Sequence, residues 1–150
     1  MTKRIFKSIF LAAFCVLLAS LVIITGCLYE YYSKTFENQM KDELDLAAAA
    51  VDISGSGYLK AIAPSGYRLS LIDKNGKVLY DTVQDADTLA NHADRDEVKQ
   101  ALENGDGSST RYSSTLLKKT TYIAKKLGNG NILRISSSRA TVGMLVFEAM

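Results

Sequence analysis

The sequence contains no tryptophan, one proline, one histidine and two cysteines among its 150 residues. With a single proline and 10 glycines, it lacks the composition of collagen-like and low-complexity chains. The formal net charge of +2 argues against a dedicated nucleic-acid-binding protein, because such domains are usually strongly basic. The length indicates about one domain, since domains typically have roughly 100–200 residues.

The two cysteines, Cys15 and Cys27, are not expected to form a disulfide with each other. They lie twelve residues apart in a segment predicted to be helical, which places them about 18 Å apart along the helix axis. A disulfide needs Cα atoms within about 7 Å. The remainder of the chain has no cysteine, so its core is expected to fold without disulfides.

An uncharged run of 22 residues, 8–29, predicts a membrane-spanning helix. At about 1.5 Å per residue the run is roughly 33 Å long, which matches a bilayer core of about 30 Å. The flanking charges are asymmetric, with Lys3, Arg4 and Lys7 before the run and Glu30 after it. The chain is therefore predicted to be a single-pass protein of the cell membrane, anchored by residues 1–29. The positive-inside rule places its N-terminus in the cytoplasm and residues 30–150 outside the cytoplasm.

A second interpretation of this segment remains open. Ile24, Thr25, Gly26 and Cys27 resemble the lipobox of bacterial lipoproteins, in which the cysteine is lipidated. A cleaved signal peptide is disfavoured, because its apolar region is shorter and no small-residue cleavage site is found. The patterned sequence after Cys27 favours a retained anchor.

An amphipathic helix is predicted over residues 30–57, where Gly55 and Gly57 end it. Its apolar residues recur at steps of three or four, and polar residues fall between them. Such a stripe suits a two-helix seam in a homodimer, or packing against the chain's own domain. The residues assigned to the dimer stripe are Tyr32, Phe36, Met40 and Leu44.

Two Asn-Gly turns predict hairpins in the rest of the chain. Strands are expected on either side of Asn75-Gly76, at 67–73 and 77–81, and on either side of Gly128–Asn131, at 121–127 and 132–137. A further strand is expected at 110–114. With no helix between the last two strands, the sheet is predicted to be antiparallel and the fold class α+β.

A short helix is predicted between the second and third strands. Asp94 at the N-cap, with Glu97 three residues later, matches a capping box, and Gly105 is the expected C-terminal stop.

The segments YRLSLIDKNGKVLYDT, NHADRDEVKQAL, GDGSSTRYSSTL and TTYIAKKLGNGNILRIS, after a membrane anchor and an outgoing helix, resemble one family. They are similar to the extracytoplasmic sensor region of bacterial sensor histidine kinases of the phosphate-regulon type, which has a PAS-like (Cache) fold. The resemblance implies a PAS-like sensor domain over residues 58–139.

The resemblance also implies a second membrane span and a kinase core. Residues 140–150 begin an apolar segment that Glu148 interrupts, and the histidine His92 falls in the extracytoplasmic part. The chain is therefore expected to be non-catalytic, as a fragment or as a sensor without its output. A cytoplasmic response regulator would be a partner only through the kinase core.

Charge is unevenly distributed in the predicted sensor domain. Residues 81–106 carry a net charge of −6 and residues 111–139 a net charge of +7. The two segments are either complementary faces, or the acidic one binds a divalent cation, or the basic one binds a small anion such as a carboxylate or phosphate. No cofactor and no metal-ligating set is predicted.

In PAS-like sensors the ligand usually lies between the sheet and the segment that crosses it. By this resemblance the candidate ligand-binding residues are Arg111, His92, Arg95, Tyr112 and Tyr122. Each has a structural alternative: Arg95 can pair with Glu97 or Asp94, and the tyrosines can belong to the core.

Two further function classes stay open beside a sensor kinase input. One is a membrane-anchored or lipidated interaction protein, and the other is the input domain of a chemoreceptor or cyclase.

Overall fold

The computed structural model describes residues 2–61, 67–113 and 118–139. The chain divides into two compact units between Asn38 and Gln39. Helix α1 spans Thr2–Ser54, and a short helix α2 spans Gly57–Ala61. The sequence predicts that Gly55 ends the long helix, and Gly55, with a φ of 69°, directly follows its last residue, Ser54. The predicted apolar segment at 140–150 lies outside the described residues.

The N-terminal unit is helical and apolar. Within the described part of the chain, α1 is the helix that is long and apolar enough to cross a membrane, and its apolar window is fully exposed. An exposed helix of this composition is consistent with a single-pass membrane protein, because lipid rather than protein would cover its side chains.

Five antiparallel strands form one sheet in the C-terminal unit, in the order β2-β1-β5-β4-β3. The strands and the helix α3 between β2 and β3 have these bounds: β1 Arg68–Ile72, β2 Val78–Asp81, α3 Asp96–Asn104, β3 Asp106–Ser113, β4 Lys118–Lys126 and β5 Ile132–Arg139. A 3₁₀ turn, Ala86–Thr88, lies between β2 and α3. The predicted α+β class, with five antiparallel strands and a short helix after the second, is confirmed.

The first hairpin turn forms where the Asn-Gly pair predicts it. The Asp73 carboxylate accepts hydrogen bonds from the backbone N–H groups of Asn75 and Lys77, both at 2.8 Å. Gly76 has a φ of 85°, and a Cβ there would lie 2.3 Å from the backbone nitrogen of Ala93. A glycine is therefore required both for the turn and for the close approach of the segment that leads to α3.

The predicted start of α3 is wrong. The N-cap is Arg95 rather than Asp94, it makes no side-chain capping hydrogen bond, and Glu97 lies in the first turn of the helix. The carboxylate of Glu97 contacts two arginines of the sheet. Gly105 ends the helix as predicted, and β3 begins directly after it at Asp106, four residues before the predicted strand.

One face of the sheet packs against α3. The buried apolar cluster on this face includes side chains from four strands and from the helix: Ile72, Val78, Val98, Ala101, Ala124 and Ile132. Gly107 allows the closest approach, since a Cβ on it would lie 2.0 Å from the carbonyl oxygen of Glu97. Strand β3 therefore lies directly against the first turns of α3, which brings Glu97 over the sheet.

The other face of the sheet is covered by the C-terminal part of α1. Lys125 Nζ contacts Asp45 Oδ1 at 2.6 Å, and the Gly128 backbone N–H donates to Asp52 at 3.2 Å. The residues of α1 that are buried in this unit are Met40, Leu44, Ala47, Ala48 and Val51.

Two of the four residues assigned to the dimer stripe, Met40 and Leu44, thus belong to the core of their own domain. This corresponds to the packing alternative for that part of the stripe. Tyr32 is exposed and Phe36 is half-buried within the N-terminal unit.

Candidate ligand-binding site

A buried carboxylate, Glu97, holds two arginines from different strands. It is 0% exposed and lies 2.6 Å from Arg111 Nη2 and 3.4 Å from Arg134 Nη1. The Ser109 hydroxyl donates a third hydrogen bond at 2.6 Å. Burial by itself raises the pKa of the Glu97 carboxyl, but the hydrogen bond from Ser109 and the two positive charges outweigh it and hold the pKa below its usual value.

The same polar network continues across the sheet to β2. Arg134 Nη2 donates to Ser70 Oγ at 3.2 Å, and Ser70 Oγ donates to Asp81 Oδ2 at 2.7 Å. Asp81 then accepts from Arg68 Nε, at 2.9 Å to Oδ2 and 3.0 Å to Oδ1. One chain of hydrogen bonds therefore connects α3 with four of the five strands, and it links buried groups whose loss of partners would be costly.

Strand register explains why these polar residues meet. Ser70 of β1 lies opposite both Asp81 of β2 and Arg134 of β5. Because side chains alternate between the two faces of a strand, residues directly opposite one another point to the same face. The face that packs against α3 is therefore apolar near Ile72 and polar near Arg68.

A cavity of about 260 Å³ lies over the polar half of this face. We call it the arginine cavity. Residues of β1, β3, β4 and β5 line one side of the cavity, and the segment between β2 and α3 lines the other. The described residues that line it are Arg68, Gln84, Leu89, His92, Arg95, Arg111, Thr120, Tyr122 and Arg134.

His92 enters the cavity wall on a loop that is held against the first hairpin. Its backbone N–H donates to the Gly76 carbonyl at 2.7 Å, and the neighbouring Asn91 side chain donates to the Asn75 carbonyl at 2.9 Å. The His92 side chain is buried, with 6% of its surface exposed. The loop therefore positions the imidazole firmly.

Burial lowers the pKa of His92 to about 4, and the positive charges of Arg134, Arg95 and Arg68 act in the same direction. The ring is consequently neutral at pH 7, with one nitrogen able to accept a hydrogen bond and the other able to donate.

Three buried nitrogen atoms of the cavity side chains have no hydrogen-bond partner among the described residues. They are Nδ1 of His92 and the Nε atoms of Arg111 and Arg134. Arg134 is only 3% exposed, and its Nε–H has no acceptor among the described residues. Buried polar groups are nearly always paired, so these unpaired nitrogens make the cavity a candidate binding site.

Tyr122 contacts both of the arginines that Glu97 binds. The guanidinium carbon of Arg111 is 4.5 Å from the centre of the ring, and that of Arg134 is 5.4 Å away. Both distances are within cation–π range. The ring therefore contacts the two guanidinium groups without removing their charge.

Four of the five predicted ligand-binding residues line the arginine cavity together: Arg111, His92, Arg95 and Tyr122. The fifth, Tyr112, lies in β3 opposite Lys119, and its side chain is outside the described part of the structure. The alternative pairing of Arg95 with Glu97 is wrong, because Glu97 binds Arg111 and Arg134. Asp94 pairs with Lys99 at 3.8 Å. Whether the four residues bind a ligand stays a prediction.

Sequence reasoning missed Arg68 and Arg134, although a signal was present. In β1 the residues that share a face are Arg68, Ser70 and Ile72, and in β5 they include Ile132 and Arg134. Both strands therefore place arginine at a position of the same parity as a core isoleucine. An arginine at such a position indicates a polar site at the edge of the core.

No family model and no curated protein matches the chain. Among solved structures, it is similar to the extracellular domain of the proposed histidine kinase rpHK1S-Z16, at 17% identity and a TM-score of 0.43, covering 61% of this chain and 39% of that one. It is also similar to the Bacillus subtilis YkuI protein, which has an EAL domain and is in complex with its substrate c-di-GMP and calcium, at 11% identity and a TM-score of 0.39. That match covers 73% of this chain and 35% of that one.

Proposed function

We propose that this chain is the extracytoplasmic sensing module of a membrane-bound sensor histidine kinase of the phosphate-regulon type, with a PAS-like (Cache) sensor domain. Three features support the proposal: the resemblance of its sequence segments, the candidate membrane helix, and the cavity between the sheet and the segment that crosses it. The cavity carries the proposal, because a sensor needs a place for its signal.

The proposed role of the chain itself is binding, not catalysis. Phosphoryl transfer and contact with a response regulator would belong to the kinase core of the protein that it resembles. The chemoreceptor, cyclase and lipidated-protein alternatives share the same cavity, and they differ from the kinase proposal in what the module is attached to.

We propose a small anion as the ligand of the arginine cavity, in preference to a divalent cation. Four guanidinium groups line the cavity, and they repel a cation and attract an anion. A hard cation prefers several oxygen ligands. The described residues contain no group of three or more histidine, cysteine or acidic side chains suited to a metal ion.

A bound anion would share Arg111 and Arg134 with Glu97, whose carboxylate they contact at 2.6 and 3.4 Å. Occupancy of the cavity would therefore change the restraint on α3. For this to act as a signal, the anion must bind one arrangement of the module more tightly than the other.

The anion proposal is tested by thermal unfolding of the full chain in lipid nanodiscs. Mixed small carboxylates and phosphates at constant ionic strength are expected to raise the unfolding temperature, since a ligand that binds the folded state stabilises it. Magnesium chloride at the same ionic strength is the control and is expected to leave the temperature unchanged. Stabilisation by magnesium alone would contradict the proposal.

We also propose that the module is a homodimer through the exposed face of α1. Leu46 is 69% exposed and Ile53 is 86% exposed, and the two lie seven residues apart on one helix face, the spacing of a two-helix seam. They replace Met40 and Leu44, which are buried in their own domain, as the proposed contacts. Membrane anchoring would hold two such helices parallel.

Cysteine scanning tests this dimer and the proposed orientation together. In a background with Cys15→Ser and Cys27→Ser, Ile53→Cys is expected to form a disulfide-linked dimer on mild oxidation, because a seam brings equivalent Cα atoms within about 7 Å. Lys74→Cys, in the exposed first hairpin turn, is the matched control and should remain monomeric. The cysteines introduced by Ile53→Cys and Lys74→Cys should both react with a membrane-impermeant maleimide on intact cells. The cysteine of Lys3→Cys should react only after permeabilisation. Equal cross-linking of both sites would contradict the dimer face.

A further inference from the structure

The arginine cavity holds more positive charge than the described side chains around it offset. Asp81 binds Arg68, and Glu97 binds both Arg111 and Arg134. Arg95 has no ion pair among the described residues, and none of the described residues that line the cavity is acidic. Two carboxylates thus face four guanidinium groups, which leaves two positive charges.

We propose that the ligand of this cavity is a small dianion, either a dicarboxylate or a phosphate monoester. This inference rests on the proposed anion site and specifies its chemistry. A dianion offsets both remaining charges, whereas a monoanion leaves one of them without a partner. Charges that are partly removed from water interact more strongly than charges in bulk solvent. The difference in affinity between dianions and monoanions should therefore be large.

The arginines of the cavity also favour a ligand that has several acceptor oxygens. The Nε atoms of Arg111 and Arg134 have no partner among the described residues, and their guanidinium carbons lie 4.5 and 5.4 Å from the same Tyr122 ring. Carboxylate and phosphate oxygens match the planar donor fork of arginine. Arg95, exposed at the cavity wall, provides a positive charge that no described residue pairs.

The cavity volume also restricts the ligand. At about 260 Å³, the cavity lies below the roughly 300–1,000 Å³ of pockets that hold drug-sized molecules. The volume favours an anion of a few heavy atoms over a nucleotide.

Isothermal titration calorimetry of the full chain in nanodiscs, at pH about 7.5 and constant ionic strength, tests the inference with matched probes. Succinate is paired with succinamate, which has nearly the same shape but one charge fewer. Methyl phosphate, whose second pKa of about 6 makes it a dianion at this pH, is paired with dimethyl phosphate. At least one dianion is expected to bind ten or more times as tightly as its monoanionic partner.

Each result has a defined meaning. Selective binding of succinate alone identifies a dicarboxylate site, and selective binding of methyl phosphate alone identifies a phosphate-monoester site. Selectivity in both pairs shows that the charge of the ligand determines its affinity. All three results support the inference. Monoanions that bind within threefold of their dianions would overturn the inference and leave the anion site intact. Absence of binding by all four probes would overturn both the inference and the anion site.

A charge-matched pair of variants separates the cavity from the general charge of the domain. Arg95→Gln removes one of the two unbalanced charges, so the affinity for the preferred dianion is expected to fall about tenfold and the selectivity over its monoanion to shrink. Lys99→Gln removes the same charge from an exposed residue of α3 that does not line the cavity. Its dianion affinity should stay within twofold of the parent chain, and equal losses in the two variants would overturn the inference.

Discussion

Replacing Glu97 with glutamine is expected to lower the free energy of unfolding by about 3–5 kcal/mol, the range measured when one partner of a buried ion pair is removed. Glu97 is 0% exposed and contacts Arg111 and Arg134. Glutamine keeps the shape of the side chain but leaves the buried guanidinium of Arg134 without its negative partner. The cost therefore arises mainly from an uncompensated charge and not from lost volume.

Glu103→Gln is the matched control, because Glu103 lies on the same helix and is exposed to solvent. Surface substitutions away from specific contacts usually change stability by less than about 0.5 kcal/mol. Denaturation of the full chain in nanodiscs, followed by the near-ultraviolet circular dichroism of its tyrosines, measures both variants. Equal stabilities for the two variants would show that the Glu97 network does not stabilise the fold.

His92 is expected to make the folded protein less stable in mild acid. Its pKa is about 4 in the folded protein and about 6.5 as an ordinary histidine. Between these values the unfolded chain binds a proton that the folded chain does not, so stability falls as the pH decreases through this window. The free energy of unfolding is therefore expected to be roughly 3 kcal/mol lower below pH 4 than above pH 6.5.

The carboxylates of Asp81 and Glu97 act at lower pH. Their pKa values are held below the ordinary values of 3.8 and 4.5, so the stability that they contribute is present above those values and is lost as the pH falls through the lowered pKa. The His92 effect can therefore be separated from theirs by the pH at which it occurs.

His92→Gln tests this prediction, because a neutral side chain should abolish the slope of stability between about pH 6.5 and pH 4. If this variant does not fold, the parent chain provides the answer directly. His92 is the single histidine of the chain, so its imidazole resonance can be titrated by NMR in a preparation without a histidine tag. A midpoint near 6.5 in the folded protein would contradict the buried, neutral state of His92.

Local chemistry explains which parts of the fold the sequence predicts. The turn at Gly76 and the helix end at Gly105 need positive φ values of 85° and 94°, and glycine signals such positions by itself. The predicted hairpins and the α+β class depend on these signals and on the alternation of apolar residues. Such features depend on residues that are close in the sequence, so they can be predicted without the contacts between distant segments.

Long-range pairing explains the parts that the sequence did not predict. Asp94 and Glu97 match a capping box, but Glu97 is paired with Arg134, which lies 37 residues away. Strand β3 begins at Asp106 because Asp106 pairs with Lys125 and Gly107 with Ala124 of β4, although Asp and Gly favour turns. Only the register of the sheet brings these residues together, and the register is not a local property.

The candidate site was predicted in part for the same reason. His92, Arg95, Arg111 and Tyr122 could be proposed from charge and from the resemblance to a sensor family. The contribution of Arg134 depends on its place opposite Ser70 in the sheet. The pairing of its charge with Glu97 could not be read from either segment alone.

We propose that small anions bind at the Nε–H groups of Arg111 and Arg134 in the arginine cavity. The most direct test is a ¹⁵N–¹H spectrum of the arginine Nε–H groups of the full chain in nanodiscs, recorded with and without succinate and methyl phosphate. The signals of Arg111 and Arg134, assigned through Arg→Lys variants, are expected to shift on saturable addition of at least one of these anions. The signal of Arg4, in the N-terminal unit, should remain in place. Saturable binding that leaves the signals of both Arg111 and Arg134 unshifted would contradict binding in the arginine cavity.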